Sequence, residues 1–585
     1  MSPKHPNVLF LTVDALRPDR MSLLGYDRPT TPTLDKMAEN ALVCEEAVSP
    51  AAFTHICLPA MMTSSRPLSY GGYDTGPLRR PPTVFEAFHA AGYETTAYCT
   101  THWVGRFQGY DQGIDNERMM YGLNTLPGLA MALYRSTLSA WHRGEVSDEE
   151  VVHKGNEILG WLFKSIEIYA AERMAMDAAD RRDFSHARFV RDGYDFAKVA
   201  DLASRHRKEF ERDPLAYLKR HFYYVPQAHQ WIGQEWRSYR HPGKLFSHAF
   251  EMLTNKIIGM FDSRLARLRD HRYKRYVDGA ELADRIIQSI ETWDGEKPFF
   301  IWSHFFDTHV PYCAGPRKEW YRKTPDYLSE LGYDPGIDVS TAINPRPQTE
   351  TEWQTWSALY DAAVRFTDEQ VGRIVDALER RGIAENTIVA ITSDHGEELG
   401  EHGDISHHFR LYSHNVRIPA FLWRKGMKGQ RIDSLANLID FVPTLATLSE
   451  VPLADGWEGI PLTDPQIRKR DTAVLETLHG GNCLFDKRPI YMSVRTHDLN
   501  FMWKEYRDPE DSFSPDGLEL YDYRKDPSEQ ENLYRQDHPA LPEMNRLIAE
   551  RLAEIPEISA ERIVNSFGAV GEDAVRQIRS KPISA

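Results

Sequence analysis

A chain of 585 residues with 41% hydrophobic and 11% aromatic content holds enough apolar material for a large core and for more than one packing unit. A formal net charge of −16 argues against a nucleic-acid binder, and no apolar run is long enough to span a bilayer, so neither partner is expected. The start, MSPKHPNVLFLTVD, has a short apolar stretch that at once meets an aspartate, so no secretory leader is expected and the cytoplasm is the default compartment. The five cysteines (Cys44, Cys57, Cys99, Cys313, Cys483) are odd in number and lack zinc-ligand spacing, which points to buried thiols rather than disulfides or a structural zinc.

Taken in chain order, Asn7 to Asp14 is a continuous apolar run of strand length that ends in a carboxylate, as expected of a buried parallel strand. Thr31 to Leu42 reads as a helix, Thr83 to Ala91 as another, and Glu94 to Cys99 as the next strand. From about Gly105 to Tyr276 the strand signals fade. Ser147 and Glu150 are spaced as a capping box, and Ile158, Leu159, Leu162, Phe163 and Ile166 recur at helical intervals. Within this stretch Arg181 to Tyr276 carries 21 Lys plus Arg against 11 Asp plus Glu, a basic patch that either draws in an anionic substrate or matches acidic surface elsewhere. The α/β pattern resumes with a helix over Gly279 to Thr292, a strand over Pro298 to Trp302, a helix over Trp356 to Arg380 and a strand over Thr387 to Thr392, which also leads into an aspartate, Asp394. Glu519 to Asp522 reads as a short edge element. The expected fold is α/β: a catalytic unit over 1–104 and 277–465 with a mostly parallel sheet flanked by helices, a helical insertion over 105–276, and a smaller C-terminal α+β subdomain over 466–585.

Two distant strands thus each deliver an aspartate, Asp14 and Asp394, and His395 follows the second. In open α/β sheets ligands bind at the C-terminal strand ends, and two carboxylates with an imidazole suit a divalent ion. Histidines are dense nearby: Asp307 and His309 follow the strand at Phe299, while His402, His407 and His408 follow Asp394. Such a set favours a metal and anion site.

The blocks Asn7 to Asp19 (NVLFLTVDALRPD), Gly25-Tyr26 through Leu34, Thr392 to Glu397 with Glu401-His-Gly403, Leu359-Tyr-Asp361 with Thr367-Asp368, Asp440 to Leu445, and Glu519 to Asp522 with Asp526-Pro527 and Asn532-Leu533 resemble the sulfatase family of the alkaline phosphatase superfamily in order and spacing. The resemblance implies an alkaline phosphatase-like fold and a metal-dependent hydrolase that cleaves a small anionic ester through a covalent intermediate. It implies a nucleophile at a helix N-terminus, in contact with a divalent ion (Ca, Mg, Mn or Zn) held by Asp14, Asp394 and His395. Two registers compete for that nucleophile. Cys57-Leu-Pro59-Ala-Met61 resembles the signature whose cysteine becomes formylglycine, but Met61 stands where the family has arginine. Thr54 instead has Thr63-Ser64 and Pro50 at the family's distances, so Thr54 is favoured, Cys57 is the alternative, and formylglycine is not expected.

His309 and His407 align with the family's substrate-binding and leaving-group histidines. Ala15 replaces a usual second aspartate, and the two sulfate-clamping lysines have no match, with His102 near one position and Arg410 near the other. Either one metal is bound, which is favoured, or Asp307, His309 and His407 hold a second, as in the phosphodiesterase branch. A sulfate ester is the favoured substrate. A phosphodiester or phosphonate monoester, a phosphoryl-type transfer, and a non-catalytic binding protein are the alternatives. The insertion is either a wall of the pocket or an oligomerisation element.

Overall fold

Every residue of β1 (Asn7–Val13) is buried, as a strand must be when helices cover both faces of its sheet. The computed structural model describes residues 5–175, 194–225, 277–310, 318–334, 349–479, 484–506 and 516–580, except positions 75, 102 and 124, together with scattered positions in 250–261 and residues 312 and 347. The strands that follow are β2 (Ala41–Val48), β3 (Glu94–Cys99), β4 (Asn116–Met119), β5 (Phe299–Phe305), β6 (Thr387–Ser393), β7 (Glu398–Leu399), β8 (Ile405–Ser406), β9 (Arg417–Trp423) and β10 (Gln430–Asn437). Seven of them form one eight-stranded sheet with β1, in the order β10-β2-β9-β6-β1-β5-β3-β4. Neighbours from β6 to β4 are parallel, and β9 runs against both β6 and β2. The sheet is therefore mixed and mostly parallel, as expected.

Alternation along β1 splits the core in two. Leu9, Leu11 and Val13 pack with the helices Gly279–Thr292 and Glu350–Arg380. Val8 and Phe10 face the other way, toward the helix Thr54–Met62, and that cluster continues into the helices Thr125–His142, Asp148–Ala175 and Phe196–Arg212. Ser147 accepts from the Glu150 N–H at 3.1 Å at the start of the second of these. The basic stretch Arg181 to Tyr276 lies largely outside the described residues.

Three expectations change. The helix read over Thr31 to Leu42 stops at Met37, a 3-10 turn runs to Asn40, and Ala41 and Leu42 begin β2. Good helix formers up to Glu39 mask a strand whose partners, β9 and β10, lie about 370 to 390 residues away. β4 falls inside the stretch 105–276 read as helical and extends the sheet beside β3. The long helix begins at Glu350 rather than Trp356, because Thr349 and Glu352 form a full capping box.

The C-terminal part is an antiparallel sheet of β11 (Ala473–Leu478), β12 (Ile490–Arg495), β13 (Leu499–Lys504) and β14 (Leu518–Asp522), with β14 at its edge. Glu476 on β11 ties it down: its carboxylate accepts from Arg551 at 2.6 and 2.8 Å and from the Leu68 N–H at 2.7 Å, all buried. Burial alone would raise the Glu476 pKa, but the Arg551 charge and hydrogen bonds hold it below the usual range. A depressed carboxylate contributes stability above the unfolded pKa of about 4.3, and that contribution is lost as pH falls through the folded value. Glu476→Gln is expected to cost up to about 3–5 kcal/mol at pH 7, because Arg551 loses its buried partner and keeps only the partly exposed Glu554 at 3.2 Å, and the gap in melting temperature from wild type should narrow below about pH 4. An equal gap at both pH values would contradict this. Among the described residues no helix is long and apolar enough to cross a membrane.

Candidate metal centre and active site

Parallel registers bring the two aspartates together. Val13 pairs with Ser393 across β1 and β6, so Asp14 and Asp394 leave adjacent strands at the same end. On the other side Thr12 pairs with His304 of β5, and His304 Nε2 lies 3.2 Å from Asp14 Oδ2 and 3.8 Å from Asp394 Oδ2. The Thr12 hydroxyl, 2.7 Å from His304 Nδ1, orients that ring. All these groups are buried.

The turn after Asp14 is strained. Ala15 adopts φ +57°, a left-handed conformation that costs a non-glycine residue about 1–3 kcal/mol. Tyr360 holds it, donating to the Ala15 carbonyl at 2.7 Å and accepting from Arg17 N at 2.8 Å. Arg17 is itself buried, bonding the Glu397 carbonyl at 2.9 Å and Glu401 at 2.6 Å. It thereby ties the Asp14 turn to the segment that follows Asp394.

Thr54 is the first residue of the helix Thr54–Met62, and the first N–H groups of a helix have no intrahelical partner. Its hydroxyl lies 3.1 Å from Asp14 Oδ2 and 3.0 Å from His395 Nε2. His395 Nδ1 donates to the Gly396 carbonyl at 2.8 Å, which fixes the ring with Nε2 aimed at Thr54. The His407 ring packs 4.1 Å from that of His395, with His309 5.0 Å beyond it, and Phe53 and Phe409 stack into an adjoining wall.

The electrostatics call for a cation. Asp14 Oδ1 and Asp394 Oδ2 are buried without a hydrogen-bond partner. Burial opposes the Asp14 charge, but His309, His304 and His395 outweigh it and hold this carboxyl well below its usual range. Burial and the facing Asp14 charge push Asp394 up. Burial likewise drives His407 down and Glu397 up, and these two share a contact of 2.9 Å. Two groups of ligand atoms, Asp14–His395–His407 and Asp14–His304–Asp394, each lie within 4.8 Å of one another, so the residues present fit a divalent ion.

Asp14, Thr54, His309, Asp394, His395 and His407 thus converge. Other expected residues sit elsewhere: Asp307 accepts from Gly279 N at 3.1 Å at the start of the helix Gly279–Thr292 and is in neither group, while Arg410 pairs with Glu398 at 3.6 Å. His102 lies outside the described residues. Cys57 is buried one turn beyond Thr54, accepting from Ser49 at 3.1 Å and donating to the Ala51 carbonyl at 3.3 Å; burial, then the Asp394 charge, pushes its pKa up to about 12. His304 and Glu397 were not singled out from the sequence. For His304 the signal was the strand read to end at Trp302, whereas β5 runs on to Phe305.

The Sulfatase family model matches residues 6–166 and 216–451, more than half of the chain. The chain belongs to the sulfatase family. It is 30% identical over 270 residues to an arylsulfatase of Clostridium perfringens, a match that covers 42% of this chain and 51% of that one, so the chain spans about half the length of this relative. Its fold matches BT4656, solved with its substrate D-glucosamine-2-N,6-O-disulfate, at a TM-score of 0.53 and 15% identity, over 94% and 97% of the two chains. It also matches a phosphonate monoester hydrolase of Agrobacterium radiobacter at a TM-score of 0.50 and 15% identity, over 94% and 95%. Membership of the sulfatase family fits the mixed sheet and the aspartates at its C-terminal edge.

Proposed function

We propose that this sulfatase-family chain hydrolyses a small anionic sulfate ester with Thr54 as its nucleophile and one divalent ion held by Asp14, Asp394, His395 and His304. The observation that carries the reading is the Thr54 hydroxyl at a helix N-terminus, 3.1 and 3.0 Å from two groups of the carboxylate–imidazole set. A divalent ion in such a site lowers the pKa of a nearby hydroxyl and offsets the charge of ester oxygens.

The chain's own groups do the rest. The helix that starts at Thr54 offers the positive end of its dipole to an anion held there. In the first step the bond from Thr54 Oγ1 to sulfur forms and the bond from sulfur to the leaving oxygen breaks. The Thr54 proton ends, in net terms, on the departing alkoxide, with His407 and His309 as carriers. Water then attacks sulfur, the bond to Oγ1 breaks, Thr54 regains a proton and sulfate leaves. Glu397 fixes the His407 ring from behind.

A phosphonate monoester or phosphodiester is the second reading. A threonine nucleophile favours it, as do the lack of lysines at the clamp positions and the two ligand groups that share Asp14, which two ions would fill. Comparing an aryl sulfate, an aryl phosphonate and a phosphodiester with one common leaving group decides between them. A higher kcat/KM on the sulfate is expected, and the reverse order would move the assignment.

A cavity of about 710 Å³ between the helix Asp148–Ala175 and the loops around Asp74 and Gln108 is lined by Arg79, Arg106, Lys154 and Lys164 together with the carboxylates Asp74, Asp111 and Glu157. It reaches Asp74, whose neighbour Tyr73 packs edge-on against His55, the residue after Thr54. This favours the insertion as a pocket wall. Arg79→Glu and Lys164→Glu are expected to raise KM for the anionic ester several-fold, less so at high salt. A changed sedimentation coefficient with unchanged KM would favour an oligomerisation element instead.

A further inference from the structure

Behind the Asp14 cluster a second set of metal-ligating side chains converges. Glu398, His402 and His414 each bring one ligand atom within 4.8 Å of the others, and none belongs to the Asp14 groups. Both ring nitrogens of His414, a buried residue, lack a hydrogen-bond partner, an expensive arrangement for an imidazole that packing alone does not explain. The Glu398 carboxylate is prepared on one side: Oε1 accepts from His402 N at 3.1 Å and Asp404 N at 3.2 Å, which turns Oε2 toward His414 Nε2, 4.0 Å away. Oε2 accepts no hydrogen bond. His402 is oriented from behind. Its Nε2 donates to the Glu529 carbonyl at 3.0 Å, and Tyr412 stacks on the ring at 3.9 Å. A carbonyl behind a histidine is the usual support of a metal-ligating imidazole.

We propose that Glu398, His402 and His414 form a second cation site, of the zinc class, that staples the loop carrying His407. Two imidazoles and one carboxylate are a borderline donor set that suits zinc and disfavours calcium or magnesium, which take oxygen ligands; three protein ligands leave one position for water. Glu398 lies on β7 and His414 in the short helix Ser413–Val416, past β8, so the ion ties together the two ends of the segment that carries His407. The His414 carbonyl also accepts from Glu397 N at 2.9 Å, and the Asn415 carbonyl from Gly396 N at 2.7 Å, in the turn beside His395. Arg410, 3.6 Å from Glu398 Oε2, is the cation such an ion displaces, and with its side chain 40% exposed it can move into water.

The test is zinc stoichiometry and affinity, read by elemental analysis and competition with a chromogenic chelator. In Asp14→Asn/Asp394→Asn protein one zinc per chain should remain. Adding His414→Phe should remove it, with circular dichroism in chelator unchanged, and His402→Ala should do the same. No zinc in the double variant, or zinc that survives both added substitutions, overturns the proposal. If His414→Phe does not fold, anomalous scattering from zinc-soaked crystals of the wild-type chain decides: a peak between the three side chains supports the site, and its absence there overturns it.

Discussion

Thr54→Ala is expected to lower kcat by about three to six orders of magnitude, in the range measured when a covalent nucleophile is deleted elsewhere. The variant removes the oxygen that lies 3.1 Å from Asp14 and 3.0 Å from His395, and no other hydroxyl in the helix Thr54–Met62 takes its place. Cys57→Ser should be mild. A serine can keep the bonds to Ser49 and to the Ala51 carbonyl, and the buried thiol, with its pKa pushed up to about 12, is a poor nucleophile at neutral pH. The pair of variants separates the two registers: loss of activity in Cys57→Ser or Cys57→Ala with retention in Thr54→Ala would transfer the nucleophile to Cys57.

Asp14→Asn and Asp394→Asn should each abolish retention of the ion at the Asp14 site, lowering the metal content by one ion per chain, and lower kcat/KM by about three orders of magnitude or more, since such an ion supplies several kcal/mol of charge stabilisation. Neither change disrupts the fold, because asparagine keeps the shape of a residue placed at a strand end. Stability in chelator gives an independent readout. Without an ion, wild type buries two facing carboxylates, with Asp14 Oδ1 and Asp394 Oδ2 unpartnered, so metal-free Asp394→Asn should melt no lower than metal-free wild type. Undiminished metal content in both variants, measured by elemental analysis, would refute the ligand assignment.

The part of this site that was legible in the sequence is the part written in one strand at a time. β1 and β6 are apolar runs that end in carboxylates, so Asp14, Asp394 and His395 could be read from local pattern, and parallel pairing then sets them side by side. β3 and the helix Gly279–Thr292 were read to the residue for the same reason. His304 escapes a local reading because Ser303 and His304 break the apolar run before Phe305 resumes it, although all three are buried. β2 was missed because its neighbours are non-local and its start is continuous with helix-forming residues. Asp307 was grouped with the ligands by proximity to His309, yet its carboxylate meets the helix start at Gly279, 28 residues upstream in the chain. Glu397 and His414 depend on how the segment after Asp394 folds back on itself, which short-range spacing does not encode.

The most direct test is the mass spectrum of the peptide that contains Thr54 and Cys57, recorded on the enzyme as purified and after quenching with a slow ester substrate. An unmodified Cys57 in both samples, with one sulfuryl or phosphoryl group on Thr54 in the quenched sample, is the predicted result. Formylglycine at position 57, or an ester on any residue other than Thr54, would contradict it.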